Sequence, residues 1–267
     1  MISWWCTTLE EPWSWTWIPY PGVWIASILP MLFFGRSVRN HSGETATRQK
    51  VLFVLGWVVF WIASDWPLGT LGAGYLASAH VTQFLLYTLG AAPLILLGTP
   101  EWMARRFLSK ARLYRATVWL GRSLVASAVI YNVILLSTHA PGTVETLRAS
   151  QFGSFAMDVV WLISGFILWL PVLSPLSEGR AKTAWAKMIY LFVTTSVIAV
   201  IPASYLTFTT TPIYAVYELA PRIGSMTAAA DQQIAGIIMK LVTMPVIWGT
   251  IAVIWFRWAN VEARTVG

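Results

Sequence analysis

Residues 231–256 read Asp-Gln-Gln-Ile-Ala-Gly-Ile-Ile-Met-Lys-Leu-Val-Thr-Met-Pro-Val-Ile-Trp-Gly-Thr-Ile-Ala-Val-Ile-Trp-Phe. From Ile234 onward the only charged side chain is Lys240. An apolar run of about 20 residues crosses roughly 30 Å of hydrocarbon when helical, and this one is long enough. The same length criterion, carried back along the chain, predicts further spans over 17–35, 50–66, 78–99, 117–137, 155–175 and 186–208, with the last over 232–256. Trp66-Pro67 closes the short second span, and residues 67–77, with Pro67, Gly69, Gly72 and Gly74, read as a loop able to dip back toward the membrane. No internal repeat, low-complexity stretch or long linker interrupts the series.

Composition agrees with a lipid solvent. Of 267 residues, 57% are hydrophobic and 11% are charged, against about 25% charged in soluble domains. A soluble domain of this length has too many wet positions to hide so much apolar surface. The 17 Trp suit the headgroup layer, and Trp4, Trp5, Trp13, Trp15, Trp17 and Trp24 crowd the first 24 residues. Those tryptophans read either as an ordinary interfacial belt or as a platform against a partner.

The net charge of +7 is spread over short loops, which argues against a nucleic-acid partner. Arg36, Arg39, Arg48 and Lys50 fall in the first loop, Arg105, Arg106, Lys110, Arg112 and Arg115 in the third, and Arg180, Lys182 and Lys187 in the fifth. Arg257 and Arg264 follow the last span, while the intervening loops hold only Arg148 and Arg222. All basic loops therefore share one side, the cytoplasmic one. The expectation is an all-α integral membrane protein: a seven-transmembrane-helix bundle over 17–257, a Trp-rich outer segment over 1–16 and a short cytoplasmic tail over 258–267. The start lacks a basic n-region, and Glu10 and Glu11 break any early apolar core, so it does not read as a signal peptide. A single cysteine, Cys6, leaves no intrachain disulfide.

Ionisable groups at span ends are costly and therefore informative. Asp65, His80, His139, Asp158 and Asp231, with Gln232 and Gln233, all fall at the outer leaflet of this topology, as do seven of the 11 acidic residues: Glu10, Glu11, Asp65, Glu145, Asp158, Glu218 and Asp231. Converging helix ends would place some of them in one outward-facing polar pocket. Asp231 also reads as a helix N-cap, and Asp65 and His139 as loop-edge residues. His80, Gln83 and Tyr87, spaced i, i+3 and i+7, share a helix face. Arg122 reads as a snorkelling anchor. Lys240 is expected to face a wet interior or to pair with Asp158 or Glu218. Phosphate loops, nucleophile elbows and zinc helices are absent from the sequence, and three histidines with one cysteine argue against a haem or multi-copper centre. Met157, Met226 and Met239 read as packing or as soft ligands for monovalent copper.

Several stretches resemble one family. Ser78-Ala79-His80-Val81-Thr82-Gln83-Phe84, continuing through Ala92-Pro93-Leu94 to Leu97-Gly98-Thr99-Pro100, is similar to the third-span signature of CtaG-type cytochrome c oxidase assembly factors. Thr138-His139-Ala140-Pro141 resembles that family's Trp-His-x-Pro, and Gly165, Trp169 and Pro171 match its Gly-x-x-x-Trp-x-Pro. Tyr214, Tyr217 and Pro221, with Asp231-Gln232-Gln233-Ile234-Ala235-Gly236 and Met239, resemble its last outer loop and seventh span. The chain departs from the pattern at Phe84, at Ser154 and Asp158, where the family carries histidines, and at Lys240, where it carries tryptophan.

The resemblance implies a multi-pass protein of the bacterial cytoplasmic (inner) membrane. It implies a non-enzymatic helper that docks on a haem–copper oxidase subunit and passes copper to it from the outer face, transiently. His80, His139, Asp158 and Asp231 are then the expected copper pocket, with Gln83, Gln232 and Tyr214 orienting them. A second reading keeps the fold as a structural accessory subunit of a respiratory or photosynthetic complex without copper. A solute or metal transporter is weaker, because no broken-helix pair recurs in two halves.

Overall fold

A computed structural model describes residues 3–8, 11–41 and 43–266. Glu10, one of the acidic residues expected at the outer face, lies outside them. The described residues hold helices and no strand: α1 (Pro21–Arg39), α2 (Thr47–Ser64), α3 (Leu68–Gly74), α4 (Ala77–Gly98), α5 (Glu101–Phe107), α6 (Ala111–Arg122), α7 (Leu124–Thr138), α8 (Pro141–Arg148), α9 (Gln151–Leu173), α10 (Ala184–Phe208), α11 (Ala215–Glu218) and α12 (Ala228–Val266). Five of them (α1, α4, α9, α10 and α12) are each long and apolar enough to cross a membrane. The pairs α2–α3 and α6–α7, bent by 47° and 98°, bring the number to seven if each is one span. The lipid reading is visible in the surface: Ile25, Leu29 and Leu32 of α1 and Ile237, Leu241 and Val253 of α12 are exposed, a face that water would not tolerate at this extent.

The fourth predicted span is the main correction. Residues 117–137 are not one straight helix; α6 ends at Arg122 and the chain turns through 98° before α7. Arg112, Arg115 and Arg122 interleave with Leu113, Val118 and Trp119 on α6, so this helix has a charged face suited to lying along an interface. Ser127 Oγ donates to the Leu120 carbonyl at 2.7 Å, which satisfies an end of α6 across the bend. Arg122 is tied back to the chain, its Nε donating to the Glu178 carbonyl at 2.7 Å. Glu178 also accepts from Arg105 at 2.8 Å and Tyr114 at 2.5 Å, clasping the basic end of the bundle. Residues 67–77, expected as a loop, contain the buried helix α3.

Sequence chemistry explains a close contact between α4 and α9. Residues Leu86–Ala91 form a π-helical turn, in which Ala92 N–H bonds the Tyr87 carbonyl five residues back. The next such bond would join residue 93 to Thr88, but Pro93 has no N–H. The Trp169 indole supplies the missing donor, reaching the Thr88 carbonyl at 2.8 Å. That reach needs a close approach four residues earlier on α9: a Cβ at Gly165 would sit 2.7 Å from Ala92 Cβ and 2.8 Å from Thr88 Cα. Gly165 and Trp169 are thus two halves of one device. Ser150 caps α9 by accepting from Gly153 N–H at 3.0 Å.

The amino-terminal segment is part of the core. Trp5 is fully buried and packs edge-on against Phe155 at 4.9 Å. Gln151 Oε1 accepts from Trp4 N–H at 2.7 Å, and the Arg148 carbonyl accepts from Thr7 Oγ1 at 2.8 Å and Thr8 N–H at 3.1 Å. Trp15 and Trp17 stay exposed. Cys6 is buried, with its thiol on the Ser64 carbonyl at 3.1 Å; burial pushes its pKa well above the usual thiol range, so it stays protonated and unreactive.

Candidate functional site

The polar residues gather at the end of the bundle opposite the basic loops, in a layer formed by the start of α4, the end of α7, the second turn of α9, and α8, α11 and α12. The layer is assembled by Asp231. From the first turn of α12 its carboxylate accepts from Ala77 N–H at 2.6 Å and from Ser78 N–H at 3.3 Å, and bonds the Ser78 hydroxyl. Asp231 therefore caps α4 from a neighbouring helix, favoured by the dipole as well as by the orphan donors. It holds His80 in place by fixing the turn beneath it.

His80 is oriented by a residue outside the expected pocket. Tyr217 Oη donates to the Gly72 carbonyl at 2.7 Å and lies 2.7 Å from His80 Nδ1. A phenol has one proton, and a carbonyl can only accept. The His80 bond therefore runs from Nδ1–H to the phenol oxygen. Nε2 is left as a lone pair, buried and without a partner. His139 repeats the arrangement: its Nδ1 lies 2.8 Å from the Leu135 carbonyl and must donate, and its Nε2 is likewise buried and unpartnered. Tyr214 Oη donates to the His139 carbonyl at 2.8 Å and steadies the residue through its backbone. The two imidazole centroids are 5.6 Å apart with planes at 85°. Trp161 lies 4.8 Å from His80 and 5.9 Å from His139, and Phe84 packs edge-on against His139 at 4.8 Å. His139, one residue beyond α7, is kept neutral by burial, which lowers its pKa to about 4.

The expected four-residue pocket does not assemble. Among the described residues no group of three or more His, Cys, Asp and Glu side chains is placed to hold a metal ion. Asp231 is spent on the α4 cap. Asp158 is engaged by Arg148 Nη1 at 3.3 Å and the Trp5 indole N–H at 2.9 Å, both inside the core. Arg148 also reaches Gln83 Oε1 at 3.3 Å, and its guanidinium carbon lies 5.1 Å from the Trp161 ring centre. Gln83 donates to the Ala63 carbonyl at 2.7 Å, and a Cβ at Gly72 would overlap its side chain. Gln232 pins residues 211–213, bonding Ile213 N–H at 2.8 Å and the Thr211 carbonyl at 3.2 Å. Gln83 and Gln232 thus build the frame and show no hydrogen bond to either imidazole. Lys240 makes no ion pair among the described residues; it is exposed beside Thr195, Ser196 and Thr243. Met157 and Met239 lie in the hydrophobic core.

What remains is a pair of neutral imidazoles whose Nδ1 atoms are used and whose Nε2 lone pairs are free, in a dry aromatic setting. Such a pair suits a soft, low-coordinate monovalent cation. A family model described as the cytochrome c oxidase caa3 assembly factor matches residues 31–260. The chain belongs to that family. Comparisons with curated proteins and with solved structures returned no match. Membership in the caa3 assembly-factor family assigns the chain to oxidase assembly in a membrane. The matched region contains both histidines, the α4 cap and the Gly165–Trp169 device, and leaves out Trp5 and its neighbours.

Proposed function

We propose that this protein is a non-enzymatic assembly factor that docks on a haem–copper oxidase subunit and hands it monovalent copper from the outer face of the bacterial cytoplasmic membrane. The seven-span arrangement with a cytoplasmic carboxyl terminus belongs to the same proposal: with α2–α3 and α6–α7 each counted once, every basic loop lies on one side. The observation that carries the copper reading is the pair of orphaned Nε2 atoms on His80 and His139. A buried acceptor left without a partner costs stability, and two of them on neighbouring imidazoles are explained by a cargo that visits. The ion would be bound as cargo, and a two-nitrogen site, having few ligands, releases it readily to a better-furnished acceptor.

The test is a titration of the detergent-purified chain with Cu(I) held by a competing chelator. One equivalent should bind the wild type, and neither His80→Ala nor His139→Ala should retain it. Stoichiometric binding that survives the double substitution would refute the assignment.

A further inference from the structure

At the basic end of the bundle the structure holds an apolar cavity of about 660 Å³, far from the histidine pair. Its walls come from six helices, including Leu29 of α1, Trp57 of α2, Ile95 of α4, Ala104 of α5, Thr117 of α6 and Leu170 of α9. The volume falls within the roughly 300–1,000 Å³ of small-molecule sites. The hollow is open on one side, where Leu29, Phe33 and Phe107 are exposed, and its almost wholly apolar lining offers water no partners.

A smaller and more polar hollow adjoins the cavity. Phe33, Met103 and Phe107 also border a second hollow of about 210 Å³ that ends at Ser37, Trp102 and Arg106. Trp102 is fixed there by stacking on His41 at 4.1 Å and by donating to Thr45 Oγ1 at 3.3 Å. Arg106 is exposed and has no ion pair among the described residues. The adjacent Arg105 is occupied by Glu101 at 2.5 Å and Glu178 at 2.8 Å. Arg36 lies one turn beyond Phe33 on α1, again without an ion pair.

We infer that this cavity is a lipid site, taking an acyl chain of one phospholipid with its anionic headgroup on Arg106 beside Trp102. An apolar chamber adjoining an interfacial tryptophan and an uncompensated guanidinium matches the two parts of such a lipid. The bound lipid would complete the bundle where α6 departs from it.

The test uses the full chain in mild detergent, re-lipidated with equimolar phosphatidylglycerol and phosphatidylcholine of identical acyl chains, with retained lipid counted by native mass spectrometry. Wild type should retain one phosphatidylglycerol, preferred by about fivefold, the effect of one basic residue at an anionic surface. Ala104→Trp, which fills the cavity, should abolish retention. Thr117→Trp does so from the partly exposed helix α6, should the first variant fail to fold. Arg106→Gln should keep a lipid and lose the headgroup preference. Equal retention of both lipids by wild type, or retention surviving the folded tryptophan variant, would overturn the inference.

Discussion

Replacing Arg148 by methionine removes the cation of a pair whose partners are fully buried at 3.3 Å. The Asp158 carboxylate would then face neutral donors such as the Trp5 indole. At that separation the pair interaction is about 5 kcal/mol with an effective dielectric near 20, and truncating one partner of a buried pair costs about 3–5 kcal/mol. Arg148→Met should therefore lose about 3–5 kcal/mol in equilibrium unfolding followed by circular dichroism in mixed micelles. Asp158→Asn in the same background removes the stranded charge while keeping an acceptor for Trp5. The double variant should recover to within about 1–2 kcal/mol of wild type, because a buried pair exchanged as a unit is often nearly neutral. A double variant as unstable as the single one would refute the reasoning, since the cost would then belong to lost packing over Trp161 and not to an unpaired charge.

Three further outcomes follow from the geometry. Tyr217→Phe frees His80 Nδ1 and should weaken Cu(I) binding by about 10–100-fold in the chelator competition, the usual effect of losing a group that orients a ligand; unchanged affinity would mean that Tyr217 does not set the tautomer. Gly165→Val should destabilise the bundle by about 1–3 kcal/mol through overpacking against α4, and a neutral result would show that the two helices separate freely. The His139 pKa of about 4 lies below its ordinary 6.5, so the unfolded chain binds more protons between these values and stability falls as pH drops from 6.5 toward 4. His139 alone should contribute a loss of about 2 kcal/mol from pH 7 to pH 5, and His139→Asn should make the curve shallower by that amount; an equally steep curve in the variant would assign the dependence to other groups.

The bundle was legible because hydrocarbon imposes a length on every crossing and charge imposes a side on every loop. Both act locally, so 234–256 announces itself without reference to the rest of the chain. The fourth crossing was misplaced for the same reason. A hydropathy window over 117–137 averages across Ser123, where an amphipathic helix gives way to an apolar one. His80 and His139 were found because histidine is rare here. Their pairing, and the separation of Asp158 and Asp231 from them, depend on partners up to 154 positions away. Arg148 was visible only as an exception among the base-poor loops, and that exception was the available signal: a cation stranded on the wrong side has a structural partner. Tyr217 carried no local mark beyond its place in the family pattern.

The seat of Trp5 has a consequence for biogenesis. Its indole binds Asp158, a residue 153 positions later in the chain, and its neighbours bind Gln151 and the Arg148 carbonyl. Residues 3–8 can meet Ser64 and Gly22 early, but they lack their contacts to the helix at 151–173 until it has been made and inserted. During synthesis they wait partly seated while four or more helices enter the membrane, and the Trp5 indole then joins the Arg148–Asp158 pair. Docking of residues 3–8 then reports that the helix at 151–173 is in place.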